Sequence, residues 1–417
     1  MLIQFSFKNF KSFRDENTLD LSATKISEYS DRLVVAGKEK LLPTAAIFGA
    51  NASGKSNVIE AFRFMATYVI ESFSYGGERE TTENATRPLK KNPFVLDVES
   101  KKDPSYFEVH FMLPDDTSYK TYNYGFTLND NGIEEEWLNV KAKTSKEFKR
   151  ILYRGDGELD LSGIPTKNKE NIEVALEKET LVISLGAKLK VEKFKMVRDW
   201  FRNVAFTNFG DPFENVFLST RIPADFAEDK AVQDKVVEYL STFDSSIKGF
   251  RLRELEEDED GNKNYNIFAI HNLINGKGIV EIPLQEESDG TLKMFALYPA
   301  INTTLESGGV LCVDELNARL HPLLVRSVVI MFLNPKINTK HAQLIFTTHD
   351  AWQMSSDYLR RDEIWFTKKD AEGVTSLYSL ADFEDDGVKI RKDESFEKNY
   401  MLGKYGAVPE LKSFDMF

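Results

Sequence analysis

Short apolar runs set off by polar turns make up most of this chain, and the period of the apolar positions changes along it. Residues 2–9 alternate polar and apolar side chains as a half-buried strand does, and Leu19, Leu21 and the run at 33–35 predict further short strands. Residues 44–48 form a continuous apolar run suited to a buried strand, and residues 57–67 follow with Val58, Ala61, Phe62 and Met65 at helical spacing. Residues 75–91 are charged and contain glycine, the composition of a surface loop. Between residues 94 and 154 the period is two: Phe107, Val109 and Phe111 alternate, then Tyr122, Tyr124 and Phe126, with a tight turn at Asn131-Gly132 ahead of Trp137. That pattern predicts an antiparallel β-meander.

Helical spacing returns over residues 167–204 and 224–243, with 219–225 as the connection. Residues 251–255, 267–271 and 278–283 read as strands, the first two separated by an acidic turn at Asp260-Gly261. The last third alternates: helix at 291–304, strand at 310–313, helix at 323–332, strand at 343–347, and two expected edge strands at 364–367 and 376–380. Short apolar strands alternating with helices argue for a parallel sheet with helices packed on it. The expected fold class is therefore α/β, with the meander and a helical insertion ahead of residue 287. There is no internal repeat and no heptad run long enough for an extended coiled coil.

The chemistry begins between the strand at 44–48 and the helix after it. Gly49-Ala50-Asn51-Ala52-Ser53-Gly54-Lys55-Ser56 matches G-x-x-x-x-G-K-[ST] at every fixed position and has the strand-loop-helix context that the motif requires. Its glycines permit a backbone path that turns several N–H groups toward one anion, and the helix N-terminus adds partial positive charge. Lys55 is expected to reach the β- and γ-phosphates of a nucleotide, Ser56 to offer its hydroxyl to Mg²⁺, and Asn57 to complete the phosphate-binding set.

A phosphate loop alone names no reaction. Val310-Leu-Cys-Val-Asp314-Glu315 is an apolar strand ending in two carboxylates, from which Asp314 can approach the metal and Glu315 can act as general base for an attacking water. A surface Asp-Glu pair after a core strand is the plainer alternative. Gln343-Leu-Ile-Phe-Thr-Thr-His349-Asp350 ends a second apolar strand in a histidine able to bond a γ-phosphate, or simply satisfied at a strand end. Ser288-Asp289-Gly290-Thr291 opens a helix, either as an ordinary N-cap or as a second anion site formed by Ser288, Gly290 and Thr291.

Taken in order, Phe7-Lys-Asn-Phe10-Lys-Ser-Phe13-Arg14, the phosphate loop, Ser288-Asp-Gly-Thr291, Asp314-Glu315-Leu-Asn-Ala-Arg-Leu-His321-Pro322, Thr347-Thr-His349-Asp350 and Tyr400-Met-Leu-Gly-Lys-Tyr-Gly406 resemble the ABC-type ATPase heads of SMC, RecF and OLD-like proteins. The sequence is more similar still to the AAA-family ATPases of prokaryotic abortive-infection and phage-defence operons, the RloA-like and AbiL-like proteins. The resemblance implies a P-loop fold of ABC-head type and ATP hydrolysis with Mg²⁺. It further implies a homodimer or higher oligomer in which Ser288, Gly290 and Thr291 of one copy meet the γ-phosphate held by another. The catalytic set it implies is Lys55, Glu315 and His349, with Ser56 and Asp314 at the metal and residues 49–57 around the nucleotide. The resemblance also implies a separate effector, and because no Ser-His-Asp or metal-nuclease set stands outside this site, any nuclease activity is expected to belong to that partner. Asn317 departs from the family, whose inter-subunit loop often carries Asp there. The long arms of SMC proteins are missing between Lys55 and Ser288.

Composition narrows the partners. With 417 residues the chain exceeds an average domain, and the expected division is 1–165 (phosphate loop and meander), 166–286 (helical and β insertion) and 287–417 (the remaining motifs). A formal charge of −13 excludes a surface that binds polyanions everywhere. Two basic clusters remain as local candidates for nucleic acid or for a solvated face: Lys141, Lys143, Lys146, Lys149, Arg150 and Arg154, and Lys188, Lys190, Lys193, Lys195, Arg198 and Arg202. Cys312 is the single cysteine, so no intrachain disulfide or cysteine zinc site forms. No apolar run approaches a membrane span, and a soluble cytoplasmic protein is expected.

Overall fold

A computed structural model describes residues 1–37, 39–75, 88–115, 118–142, 145, 147–211, 222–223, 225–255, 265–274, 276–385 and 388–409. The loop expected at 75–91, the turn at Asp260-Gly261, most of the 219–225 connection, and Lys143 and Lys146 lie largely or wholly outside the described residues.

Two sheets share one layer of helices. The antiparallel sheet comprises β1 (Leu2–Lys8), β2 (Asn17–Asp20), β6 (Ser105–Asp115), β7 (Ser118–Asn129), β8 (Gly132–Lys141), β9 (Lys149–Gly155) and β10 (Glu158–Asp160), in the order β10-β9-β8-β7-β6-β1-β2. Between β2 and β6 the chain forms the short pair β3 (Val34–Ala36) and β4 (Glu39–Leu41), then β5 (Thr44–Gly49) and helix α1 (Lys55–Glu71). The meander is as expected but starts at Ser105, with no strand at 94–104. Its alternation has a direct cause: Phe107, Val109, Phe111, Tyr122, Tyr124 and Phe126 all lie in the core that the sheet shares with the helices packed on it. Phe62 of α1 stacks on Phe5 at 4.8 Å and Phe64 on Phe107 at 5.2 Å. Truncating Phe62, which is 2% exposed, to alanine is worth about 3–5 kcal/mol of destabilisation.

The stretch expected as one helical region at 167–204 is three helices, α2 (Thr166–Ala175), α3 (Val182–Lys188) and α4 (Glu192–Arg202). Buried Glu136 of β8 accepts hydrogen bonds from the N–H groups of Val182 (2.6 Å) and Ile183 (3.0 Å), which fixes the start of α3 on the sheet. Val204 does not end a helix. It begins β11 (Val204–Asn208), which pairs in parallel with β15 (Val310–Asp314), over 100 residues later. Local helical spacing hid this strand because its partner is remote.

The second sheet runs β11-β15-β16-β5-β17-β18, with β16 (Gln343–Thr347), β17 (Ile364–Lys369) and β18 (Thr375–Ser379). All neighbours are parallel except β17 and β18. The run at 364–367, expected as an edge strand, is interior, and β18 alone of the two is an edge. Each central strand feeds two cores. Ala45, Ile47, Cys312 and Ile345 face α1 and the antiparallel sheet, whereas Ala46, Phe48, Leu311, Val313, Leu344 and Phe346 face the other way. That second core is covered by α5 (Lys230–Ser241), α6 (Asp289–Ser307), α7 (Pro322–Leu333), α8 (Phe396–Met401) and a three-stranded sheet β12 (Ile247–Glu254), β13 (Tyr265–Asn272) and β14 (Ile279–Pro283). The closing Tyr400–Gly406 segment packs here: Tyr400 stacks on Phe366 at 5.8 Å and Tyr405 lies 5.4 Å from the same ring. The observed architecture is the α/β class expected, with the meander and the helical insertion in place.

Candidate nucleotide site

Strands β15, β16 and β5 are parallel neighbours, so their C-terminal ends share one rim of the sheet. Crevices at such rims are where open α/β sheets bind ligands. The loop after β5, the carboxylates after β15 and the polar tip of β16 therefore converge although 32 residues or more separate each from the next in sequence.

Residues 49–54 form a tight nest. Gly49 has φ 156°, Ala52 60° and Gly54 106°, and Gly54 is the N-cap of α1. A Cβ at Gly54 would lie 2.8 Å from Thr375 Oγ1 and 2.9 Å from Ser12 Oγ, so glycine is required sterically as well as by its dihedral. The loop is tied from outside. Ser53 Oγ meets Thr367 Oγ1 at 2.6 Å, Thr375 Oγ1 donates to Ser53 O at 3.0 Å, and Thr375 N donates to Ser12 O at 2.8 Å. Asn57, expected among the phosphate ligands, turns its Nδ2 to Ser12 Oγ at 2.8 Å. Asn51 and Ala52 are exposed at the loop tip, while Ala50 and Ser56 are half-buried.

Lys55 folds back over the nest, donating from Nζ to Gly49 O at 2.9 Å and Ala50 O at 3.0 Å. Burial lowers its pKa, and the carboxylates of Glu315 and Asp314 act in the opposite sense. Lys11, in the turn where Phe10 and Phe13 pair, has its pKa lowered by burial too, with Asp314 opposing, and pairs with Glu60 of α1. Asp314 is 4% exposed and accepts from the Thr347 hydroxyl. The same hydroxyl oxygen accepts from Glu315 N at 2.8 Å, so one side chain fixes both acidic positions. Glu315 has φ 52°, a left-handed conformation rare outside glycine, and a Cβ at Gly210 would collide with its carboxylate. The end of β11 thus presses on Glu315: Asn208 pairs with Asp314 and Phe209 N donates to Asp314 O at 3.0 Å.

His349 is exposed. Asn317 Nδ2 stands 3.1 Å from its Nε2, and Asn317 Oδ1 accepts from Thr348 Oγ1 at 2.9 Å. The residue that departs from the family pattern therefore joins the loop after β15 to the tip of β16. Ser288 caps α6, its Oγ accepting from Thr291 N at 3.1 Å. Ser288 and Asp289 are exposed, and Arg319 bonds Asp289 at 2.7 Å. The cap geometry is realised, and among the described residues no hydrogen bond or ion pair joins this turn to the phosphate loop of the same chain.

Ser12 and Thr347 lie inside motifs without a role assigned to them from sequence, and Asn208, Thr367 and Thr375 lie outside every motif. The aromatic frame around Ser12 and the polar ends of the apolar runs are the only signals that mark them.

The residues fit a metal that arrives with phosphate. Ser56 and Asp314 supply hard oxygen donors beside a buried lysine, and among the described residues no group of three or more His, Cys, Asp or Glu could hold an ion alone. Mg²⁺ commonly takes one or two protein oxygens and the remainder from phosphate and water.

A phosphate loop opening a helix beside a strand that ends in Asp-Glu defines a P-loop ATPase. Residues 45–351 match the family model described as "AAA domain, putative AbiEii toxin, Type IV TA system", and the chain belongs to that family. No curated protein matches. Among solved structures, an SMC head bound to the C-winged helix domain of ScpA shares 15% identity at TM-score 0.43, covering 91% of this chain and 97% of that one. CbiO1 of Clostridium perfringens, part of the ABC transporter complex cbiONQ, shares 13% identity at TM-score 0.31, covering 90% and 87%. These likenesses are distant, and the assignment rests on the family match and the chain's own geometry. Among the described residues no helix is long and apolar enough to cross a membrane.

Proposed function

We propose that the chain is a Mg²⁺-dependent ATPase whose site is completed by a second copy, and that its nucleotide state regulates a separate effector in an abortive-infection response to phage. The observation that carries the hydrolytic part is the meeting of Lys55 with Asp314 and Glu315 at one sheet rim. The defence role draws support from the family description and from the resemblance of the motifs.

In this reading the nest at 49–54 binds the phosphates through its N–H groups, and Lys55 leaves the carbonyls of Gly49 and Ala50 for the β- and γ-phosphate oxygens. Ser56 and Asp314 would hold Mg²⁺, which supplies charge neutralisation across those oxygens when bound. Glu315 accepts the proton of the attacking water, with its backbone held by Thr347 and its carboxylate crowded by Gly210. His349, steadied by Asn317, stands at the tip of β16 to bond the γ-phosphate. Ser288, exposed at the start of α6, would serve the nucleotide of the other copy together with the half-buried Gly290 and the buried Thr291 that follow it.

The test is Glu315→Gln. The amide keeps shape and hydrogen bonding but takes no proton, so the variant is expected to bind ATP, to accumulate as an ATP-bound dimer in light scattering, and to lose turnover. Wild-type hydrolysis would remove Glu315 from the base role. Purification from the native operon tests the regulatory part: a co-purifying nuclease-like protein supports it, whereas ATP-dependent binding to DNA ends without any such protein favours a RecF-like repair ATPase.

A further inference from the structure

Lys293 lies one turn into α6 and is 1% exposed, yet it belongs to none of the motifs. Its Nζ donates to Phe209 O at 2.9 Å and to Ala318 O at 2.8 Å, and stands 4.8 Å from the centroid of the Phe209 ring. Both carbonyls flank Glu315. Phe209 follows β11 and is bonded to Asp314, and the next residue, Gly210, crowds the Glu315 carboxylate. Ala318 N donates to Glu315 O at 2.8 Å, and its neighbour Asn317 holds His349. On the outer side, Lys293 sits two residues beyond Thr291 and five beyond Ser288, within the first turns of the helix that presents them.

A buried lysine is costly unless its donors are engaged, because burial penalises the charged form. Here burial and Arg319 push the pKa down to about 8, while Asp289 and Glu315 oppose them. An apolar side chain would fill this position at lower cost. The lysine instead clasps two loops from different strands to one helix, and that arrangement is rigid where a purely apolar contact would slide.

We infer that Lys293 is a positioning residue that couples the Ser288–Thr291 turn of a subunit to that subunit's own Glu315 and His349 loops, through the carbonyls of Phe209 and Ala318. Engagement of the turn by a second copy's nucleotide then reaches both sites of the dimer. The inference rests on the two-copy reading above.

The test uses heterodimers of full-length chains carrying different tags. One chain has Ser288→Arg and an intact Lys55; its partner has Lys55→Ala and an intact Ser288. Such a pair retains one composite site. Lys293→Met is then placed in either chain alone. Coupling predicts that kcat falls roughly tenfold or more in both placements, with ATP affinity of the Lys55-bearing chain changed by less than about twofold. Lys293→Arg, which keeps the charge and two donors, is expected to recover a large part of the loss in both. A loss confined to the ATP-holding chain overturns the inference and leaves Lys293 as a local support of Glu315. Equal activity of the Met and Arg variants at matched melting temperatures overturns it as well. If the parent heterodimer, with Lys293 intact, hydrolyses no faster than either homodimer, the shared site itself fails, and that result is read before any Lys293 variant.

Discussion

The phosphate loop and the Ser288–Thr291 turn are both helix N-termini containing glycine, yet they are held in opposite ways. The loop is enclosed: Thr367 and Thr375 bond to it, Ser12 in turn holds Thr375, and Lys55 is 7% exposed over its carbonyls. The turn is open: its own cap, one exposed ion pair to Arg319, and free space around Gly290, where a Cβ would meet nothing closer than 3.8 Å. The first is an enclosed nest whose surroundings all come from one chain. The second has the donors of a receptor without the surroundings of one, which is the shape expected of half a site.

Four changes would break or sharpen that contrast. The largest effect is expected from Lys55→Ala, which removes the cation proposed to reach the β- and γ-phosphates; turnover should fall by ~10²–10³-fold or more, as when one preorganised electrostatic donor is lost. Unchanged ATP affinity and turnover would dissolve the site. Next come the paired variants Gly54→Ala and Gly290→Ala. At Gly54 the methyl group meets Thr375 and Ser12 on a backbone with positive φ, and about 1–3 kcal/mol of strain should appear in denaturant melts together with weaker nucleotide binding. At Gly290 the same methyl group has room within a helix, so the isolated chain should hold or gain about 0.5–1 kcal/mol while ATP-dependent dimerisation weakens. Similar losses of monomer stability at both glycines would erase the contrast.

Ser288→Arg tests the open turn more directly. Loss of a cap costs about 1 kcal/mol and is independent of nucleotide. A half-site predicts instead that monomer ATP binding survives while dimerisation and hydrolysis fail, as read by light scattering and phosphate release. Normal turnover with only a lowered melting temperature would leave an ordinary cap.

The smallest effect lies far from the nucleotide. Glu363 is fully buried, and burial pushes its pKa up to about 8. Between the ordinary carboxylate range and that value the folded chain holds a proton that the unfolded chain has released, so stability declines as pH rises through the interval. Glu363→Gln should flatten this slope, raising the melting temperature at pH 8 relative to wild type more than at pH 5. Parallel pH profiles would place the slope on another group.

What the sequence made legible follows from how each feature is encoded. The phosphate loop, the Asp314-Glu315 strand end and the meander are written in adjacent residues, so fixed spacing and alternation reveal them. β11 was hidden because five residues following a helical stretch give no period of their own; only the pairing with β15 makes them a strand. The run at 364–367 was expected at an edge, but Ile364, Trp365, Phe366 and Thr367 are all buried, and burial on both faces is the mark of an interior strand. The threonines that fasten the loop and Lys293 acquire their roles solely from neighbours brought in by the fold. Asn57, expected beside the phosphates, also donates from its amide to Ser12, a contact that its place beside the motif did not suggest.

The position of β5 has a consequence for synthesis. Its two hydrogen-bonding neighbours, β16 and β17, begin at Gln343 and Ile364, about 300 residues downstream. At a ribosomal rate of about 5–20 residues per second, the phosphate-loop strand waits on the order of tens of seconds for its partners. During that time an apolar segment has left the ribosome without its sheet, while the meander has everything it needs to form. The ATP site is therefore among the last parts of the molecule to exist, and a nascent chain halted before residue 343 carries the whole phosphate-binding motif without the rim that makes it a receptor.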